Sequence, residues 1–197
     1  MSLPPLYGLV LAGGQSRRMG QDKAALRLHG RTQLDWVFGL LERHCERTFV
    51  SVRPDQRDDP ARAGYPVIVD RQPGLGPIAG IAAAQEEHPS VGWLVVACDL
   101  PFVADATLVD LIAARGRHDV TAFRSAFDGL PEPLCAIYEP ATHAGIAAAL
   151  AADRLCPRKF IIGTGVPLLE QPDPVALDNV NTPDDLARAQ ERLRAPT

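Results

Sequence analysis

Apolar positions along this chain follow two alternating rhythms. Short, largely apolar runs recur at Tyr7–Leu11, Thr48–Arg53, Val67–Val69, Trp93–Cys98, Val120–Phe123 and Leu134–Tyr138, and each reads as a β-strand. Between them the spacing turns helical. Thr32 reads as an N-cap, with Asp35 three residues on, for a helix that buries Leu34, Val37, Phe38, Leu41 and Cys45. Pro77 opens a second helix through Ile78, Ile81, Ala82 and Gln85, because a first-turn proline lacks only an N–H that has no helical partner. Asp105 is expected to cap a third helix carrying Leu108, Leu111 and Ile112, and Ala141–Ala152 predicts a fourth, rich in alanine. Thr182-Pro183-Asp184-Asp185 announces the last helix: an N-cap, a first-turn proline and two acids that complement the helix dipole.

Strands apolar on both faces, alternating with helices, predict an α/β fold with a mostly parallel sheet covered on both sides. The segment from Arg124 to Tyr138 breaks the alternation and predicts an added antiparallel strand, with Gly129-Leu130-Pro131 as an irregular link. Arg53 to Pro66 is polar and proline-bearing, and reads as a surface loop. No repeat, low-complexity tract or linker interrupts the 197 residues, so one domain spanning 1–197 is expected.

Composition narrows the function. A net charge of −4 argues against a general nucleic-acid binder, though it leaves room for a small phosphorylated ligand held by local charge. No apolar run approaches the ~20 residues that span a bilayer. Met1-Ser2-Leu3-Pro4-Pro5 has no basic segment before an apolar stretch, so the expectation is a cytoplasmic protein without a secretion signal or membrane contact. Cys45, Cys98, Cys135 and Cys156 are widely spaced, and the five histidines form no ligand-like pairs, which argues against structural zinc and for free, mostly buried thiols.

The densest chemistry follows the first strand, in Leu11-Ala12-Gly13-Gly14-Gln15-Ser16-Arg17-Arg18-Met19-Gly20-Gln21-Asp22-Lys23. Paired glycines are expected to let the backbone approach a ligand and to adopt dihedrals closed to side chains. Three cations in the same loop suit a polyphosphate. The spacing is not that of the P-loop, which places Gly-Lys-Ser/Thr after a glycine and four further residues; the other reading is an ordinary charged surface loop. Ligands of open α/β sheets sit beyond the carboxyl ends of the strands, where Ser51, Arg53, Asp70 and Asp99 also fall. Asp99 is a candidate Mg²⁺ ligand or the cap of a turn before Leu100-Pro101. Asp70 either accepts hydrogen bonds from a base or ribose or caps the loop Arg71–Gly76. Asn179 and Asn181 either reach a phosphate or help start the last helix. Gly74, Gly76 and Gly80 nearly match a dinucleotide fingerprint, but the spacing is wrong and Pro77 interrupts it, which disfavours a dehydrogenase. No G-x-S-x-G elbow is present, and Cys98 reads as a core residue.

Taken together, Leu11-Ala12-Gly13-Gly14 through Arg18-Met19-Gly20 to Asp22-Lys23, then Asp70, Gly76-Pro77-Ile78-Ala79-Gly80, Cys98-Asp99-Leu100-Pro101 and Asn179-Val180-Asn181-Thr182-Pro183, resemble the molybdenum cofactor guanylyltransferases over nearly the whole chain. The resemblance implies a three-layer Rossmann-like nucleotidyltransferase fold that transfers GMP from GTP to the terminal phosphate of molybdopterin with Mg²⁺, releasing pyrophosphate. It implies nucleotide contacts at Leu11, Ala12, Gly13, Gly14, Lys23, Ser51, Asp70 and Asp99, with Asp99 holding the metal and Arg18 and Lys23 at the phosphates. Asn179 and Asn181 would lie in the catalytic crevice, with Glu132 and Arg158 toward the acceptor. Arg158 and Lys159 equally read as solvated helix charges.

Related cytidylyltransferases tend to carry Ala-Ala-Gly where this chain has Ala12-Gly13-Gly14, and Arg-Pro where it has Gly76-Pro77, so both positions look like the guanine type. Ser51 stands where some relatives have an asparagine, and Glu132-Pro133 where some have His-Pro. The resemblance also implies, as partners, other proteins of molybdenum cofactor synthesis and molybdoenzyme chaperones. The competing readings are a nucleotidyltransferase for another base or a sugar phosphate, and a non-catalytic GTP-binding subunit.

Overall fold

The most continuous apolar run forms strand β6 (Gly92–Ala97), buried at every position because helices cover both of its faces. The computed structural model describes residues 2–14, 22–72 and 74–194. The other strands are β1 (Leu6–Leu11), β2 (Arg27–Leu28), β3 (Arg31–Thr32), β4 (Arg47–Val52), β5 (Val67–Val69), β7 (Val120–Arg124) and β8 (Pro131–Tyr138). The main sheet has the order β5-β4-β1-β6-β8-β7. β5, β4, β1 and β6 are parallel, and β8 runs antiparallel to both β6 and β7, as the break in the sequence pattern predicts.

Side-chain alternation divides the core. Leu6, Val10, Leu94 and Val96 face α1 (Gln33–Glu42) and α3 (Asp105–Ala114), whose Val37, Leu41, Leu108 and Leu111 complete one layer. Leu9, Trp93 and Val95 face α2 (Pro77–Glu87), α4 (His143–Ala151) and α5 (Pro157–Thr164) through Ile78, Ile81, Ile146 and Ile161. The helix α6 (Pro183–Arg194) sits apart, packing Ala189 with Leu26, Leu28 and Val180. No helix among the described residues is long and apolar enough to cross a membrane.

Two of the expected helix starts are built as their sequences imply. Thr32 Oγ1 accepts from the Asp35 N–H at 3.1 Å. Thr182 Oγ1 accepts from the Asp185 N–H at 3.2 Å, and the Asp185 carboxylate accepts in return from the N–H groups of Thr182 at 2.8 Å and Asn181 at 3.0 Å. Asp105 differs from expectation. It is the first helical residue, behind Ala104, and its carboxylate takes Arg43 at 2.7 Å and His44 at 2.9 Å. Arg43 first, then His44, hold that carboxyl below the usual range, and these side chains take its oxygens in place of a backbone N–H.

The expected fourth helix forms within Ala141–Ala152 but begins at His143, after a 3₁₀ turn at Pro140–Thr142. Two other elements were not legible beforehand. α5 is one short helix with Pro157 in its first turn and Gly165 ending it at φ 67°. β2 and β3 form a hairpin through His29 (φ 56°) and Gly30 (φ 73°), too short to register as alternation. The thiols divide: Cys98 and Cys135 are buried, Cys45 is half-buried and Cys156 is exposed. Burial pushes the Cys45 and Cys135 thiols up to about 12.

Candidate active site

Parallel strands deliver their loops to one edge of the sheet, and two cavities open there. The first, about 630 Å³, is lined by Leu11, Ala12, Gly13, Gly14, Lys23, Ser51, Asp70, Asp99 and Asn181, together with Gly76 and Gly80 at the start of α2. The second, about 800 Å³, is lined by Glu132, Arg158 and Asn179, with Asp99 again in its wall. Asp99 and Leu134 therefore belong to both cavities. Arg18 lies outside the described residues.

Asp99 follows the end of β6 and is held at both its carbonyl and its carboxylate. Its carbonyl accepts from the Val180 N–H at 2.9 Å, which ties the segment before α6 to the strand end. Its carboxylate accepts from Lys23 Nζ at 2.8 Å. Lys23 Nζ also donates to Asn181 Oδ1, and the Asn181 N–H is pinned by Asp185. The cap of α6 thus fixes an asparagine that orients the lysine. Asp70, at the end of β5, is 7% exposed and accepts from the Gln72 N–H at 2.8 Å. Burial raises its carboxyl above the ordinary value, only partly offset by that N–H. Both roles considered for Asp70 remain compatible: it caps its loop and borders the cavity.

A sheet edge with a glycine-paired loop, a Lys–Asp pair and two adjoining cavities matches a known domain. The profile of the MobA-like NTP transferase domain fits residues 8–166. The chain belongs to the MobA-like NTP transferase family. It is 37% identical to a molybdenum cofactor guanylyltransferase of Rhodobacter capsulatus, over 96% of this chain and 97% of that one. It is 36% identical to a molybdenum cofactor biosynthesis bifunctional protein of Synechocystis, over 94% of this chain, and spans 54% of that longer protein. The crystal structure of molybdopterin-guanine dinucleotide biosynthesis protein A from Archaeoglobus fulgidus superposes with a TM-score of 0.78 at 26% identity, covering 94% of this chain and 97% of that one. Asn179, Asn181 and α6 lie beyond the matched span of the MobA-like domain, yet Asn181 reaches its lysine.

Two further residues organise the loop of this MobA-like domain: Arg53, at a strand end already marked in the sequence, and Arg62, from the segment read as a plain surface loop. Arg53 Nη1 donates to the carbonyls of Gly13 at 2.6 Å and Gly14 at 3.2 Å, which occupies oxygens that would repel an anion. Arg62 is 2% exposed. It pairs with Asp22 at 2.6 Å and Asp59 at 2.6 Å, and donates to the Ala12 carbonyl at 3.3 Å. Asp22 in turn accepts from the Ala24 N–H at 3.0 Å and caps the 3₁₀ turn Lys23–Ala25. One buried guanidinium therefore grips the nucleotide-loop candidate on both sides of residues 15–21. The only signal in sequence was an arginine among prolines, which burial alone distinguishes from a solvated one.

The glycines divide by cause. Gly13 and Gly14 do not adopt left-handed φ, contrary to the expected use of forbidden dihedrals. Among the described residues a Cβ on Gly13 would meet Arg53 at an ordinary 3.6 Å and one on Gly14 would meet nothing within 4 Å. Gly76, the N-cap of α2, has a φ of 78° that requires glycine. Gly80 is a close approach: its Cβ would lie 2.5 Å from Ser51 Oγ and 3.2 Å from Leu11 Cδ2. Gly80→Ala is expected to cost about 1–3 kcal/mol through overpacking. Equilibrium denaturation should show the loss, and adding Ser51→Ala, which removes the clashing hydroxyl, should recover most of it.

Proposed function

We propose that this chain, as one domain spanning residues 1–197, transfers GMP from GTP to the terminal phosphate of molybdopterin. The observation that carries the reading is that the two cavities share Asp99. A group transfer between two polyanions needs adjoining pockets with the reacting phosphorus at their junction, and Asp99 stands there with Lys23 beside it. The names of the relatives support the donor and acceptor.

In this reading the first cavity takes GTP. Leu11, Ala12, Gly13 and Gly14 lie against the nucleotide. Ser51 and Asp70 border the same ligand; a buried carboxylate is stabilised by N–H or hydroxyl donors, which guanine and ribose both offer. The second cavity takes the acceptor, with Glu132, Arg158 and Asn179 in its walls and Asn181 at the boundary through Lys23. An acceptor phosphate oxygen forms the new bond to the α-phosphorus as the bond from that phosphorus to the bridging oxygen breaks, and pyrophosphate leaves. No covalent enzyme intermediate is required. Lys23, and Arg18 outside the described residues, neutralise the leaving pyrophosphate.

Among the described residues no three His, Cys, Asp or Glu side chains gather into a metal cage. Magnesium carried with a triphosphate needs only one or two carboxylates, because phosphate oxygens and water complete its shell. Asp99 fits that demand: it is a carboxylate at the cavity junction that already draws a cation. When bound, the ion would offset the charge of the reacting phosphates.

The test is pyrophosphate release from each nucleoside triphosphate with molybdopterin and Mg²⁺. GTP should support turnover and CTP should not. Preference for CTP would transfer the chain to the cytidylyl group, and GTP binding without pyrophosphate release would make it a nucleotide-presenting subunit. A site that pairs with one base edge leaves buried polar groups unmatched with another, so discrimination should be strong, on the order of 10⁴-fold.

A further inference from the structure

β6 and β8 form an antiparallel ladder that ends at the pair Val96–Cys135. Continued past that pair, the register would set Asp99 opposite Glu132. The strands part instead: the Asp99 carbonyl bonds to Val180, so the segment before α6 takes the place of β8 beside it. The second cavity lies in this fork, with Asp99 on one arm and Glu132 on the other.

Glu132 is oddly placed for a pocket that receives a phosphorylated molecule. Its carboxylate is 20% exposed and its contact with Arg158 is long, at 3.4 Å. The arginine is held more closely by Asp128, at 2.6 Å, and Asp128 also accepts from the Leu130 N–H at 3.0 Å. Among the described residues Glu132 Oε1 has no hydrogen-bond partner. Arg158 is therefore neutralised largely without Glu132, and one more carboxylate in a wall that also carries Asp99, Asp128, Asp178, Asp185 and Glu191 opposes an anionic acceptor unless it meets donors on that acceptor. Two parallel N–H groups match two carboxylate oxygens, as in a bidentate guanidinium pair. A pterin presents such a pair on its pyrimidine ring: the 2-amino group and the adjacent N3–H.

We propose that Glu132 is a specificity-determining residue that reads the 2-amino and N3–H edge of the pterin, orienting the acceptor so that its phosphate points along the fork toward Asp99. The inference rests on the reading of this cavity as the molybdopterin site. It assigns to Glu132 a task that a cation or imidazolium at Arg158's side of the pocket would not perform: selection by donor pattern rather than by charge.

Competition against molybdopterin in the GTP-dependent reaction tests it. In the native protein 2-amino-4-oxopteridine should inhibit competitively, and 2,4-dioxopteridine, with a carbonyl in place of the amino group, should inhibit at least tenfold less well. Glu132→Gln replaces one acceptor oxygen with a donor; it should raise KM for molybdopterin about 10–100-fold, the usual worth of a hydrogen bond to a charged group, and lower kcat as the acceptor loses its orientation, with GTP affinity unchanged. It should also erase the discrimination between the two pteridines, and Glu132→Asp should restore part of it. Asp128→Asn, which loosens Arg158 and spares Glu132, should leave the discrimination intact. Equal inhibition of native protein and Glu132→Gln by the two pteridines would overturn the proposal while the guanylyltransferase reading stood. Absence of turnover with molybdopterin in the native protein would instead overturn that reading, and the proposal with it.

Discussion

Asp99→Asn is expected to lower kcat for GMP transfer by a hundredfold or more while leaving the folded protein nearly as stable. Asparagine keeps the shape of the side chain and an oxygen for Lys23, so the 2.8 Å contact survives as a neutral acceptor. Both side chains keep some contact with water, at 15% and 18% exposure, and the pair is not sealed in the core. Its conversion to an ion–dipole contact therefore costs far less than the roughly 3–5 kcal/mol of breaking a fully buried pair.

Catalysis has no such cushion. A carboxylate helps the reacting phosphates only through the cation it would hold: one positive charge 4 Å from a phosphate is worth about 4 kcal/mol at an effective dielectric near 20, and a neutral amide would hold that cation far more weakly. Single groups that stabilise charge in a transition state are worth on the order of 10²–10³ in kcat. Steady-state kinetics with GTP and molybdopterin, repeated over a magnesium titration, checks this. The substitution should also move the magnesium midpoint to higher concentration. Near-full turnover would remove Asp99 from the reacting centre and leave the shared wall of the two cavities without a chemical role.

Arg62→Met should be the second most damaging change, although Arg62 touches neither cavity. Its guanidinium joins Asp22, Asp59 and the Ala12 carbonyl across residues 15–21. Methionine fills much of the same volume with apolar atoms, but it removes one partner of two ion pairs, which costs about 3–5 kcal/mol only where the charges left behind stay buried. The two carboxylates left behind are about a third exposed, at 31% and 34%, and can rehydrate. Positioning, however, is lost. Asp22 caps the turn that begins at Lys23, and misplacement of a reacting group by about 1 Å costs on the order of a hundredfold. A fall of that size in kcat/KM for GTP, with an unfolding midpoint close to native, is the expected result. Arg62→Lys, which restores the charge but not the fork that reaches three partners, should recover only part of it. Activity within twofold of native in Arg62→Met would mean that the loop holds its own conformation.

These two residues mark where sequence reading stops. Asp99 announces itself: it closes an apolar strand in an α/β pattern, and such ends carry ligands. Arg62 does not. Its surroundings in sequence are polar and broken by prolines, as in any exposed loop, and its burial depends on Asp22, forty residues earlier. The same contrast separates Thr182 from Asp105. Thr182 caps its helix because its partner, Asp185, lies within one turn. Asp105 has a competing offer from Arg43 and His44, which only the packing of α1 against α3 brings near.

By itself the sequence determined what depends on near neighbours: the strands of the main sheet and most helices, the mostly parallel sheet with one strand reversed, and the glycine-paired loop at the first strand's end. Periodicity and capping act over a few residues, so they can be read from a few residues. Only the tertiary structure decided what distant residues do together. It set Lys23 between Asp99 and Asn181, sank Arg62 beneath the loop, and parted β6 from β8 so that one carboxylate borders two cavities. Those outcomes turn on charge pairing and strand register between segments far apart in the chain, which no local pattern encodes.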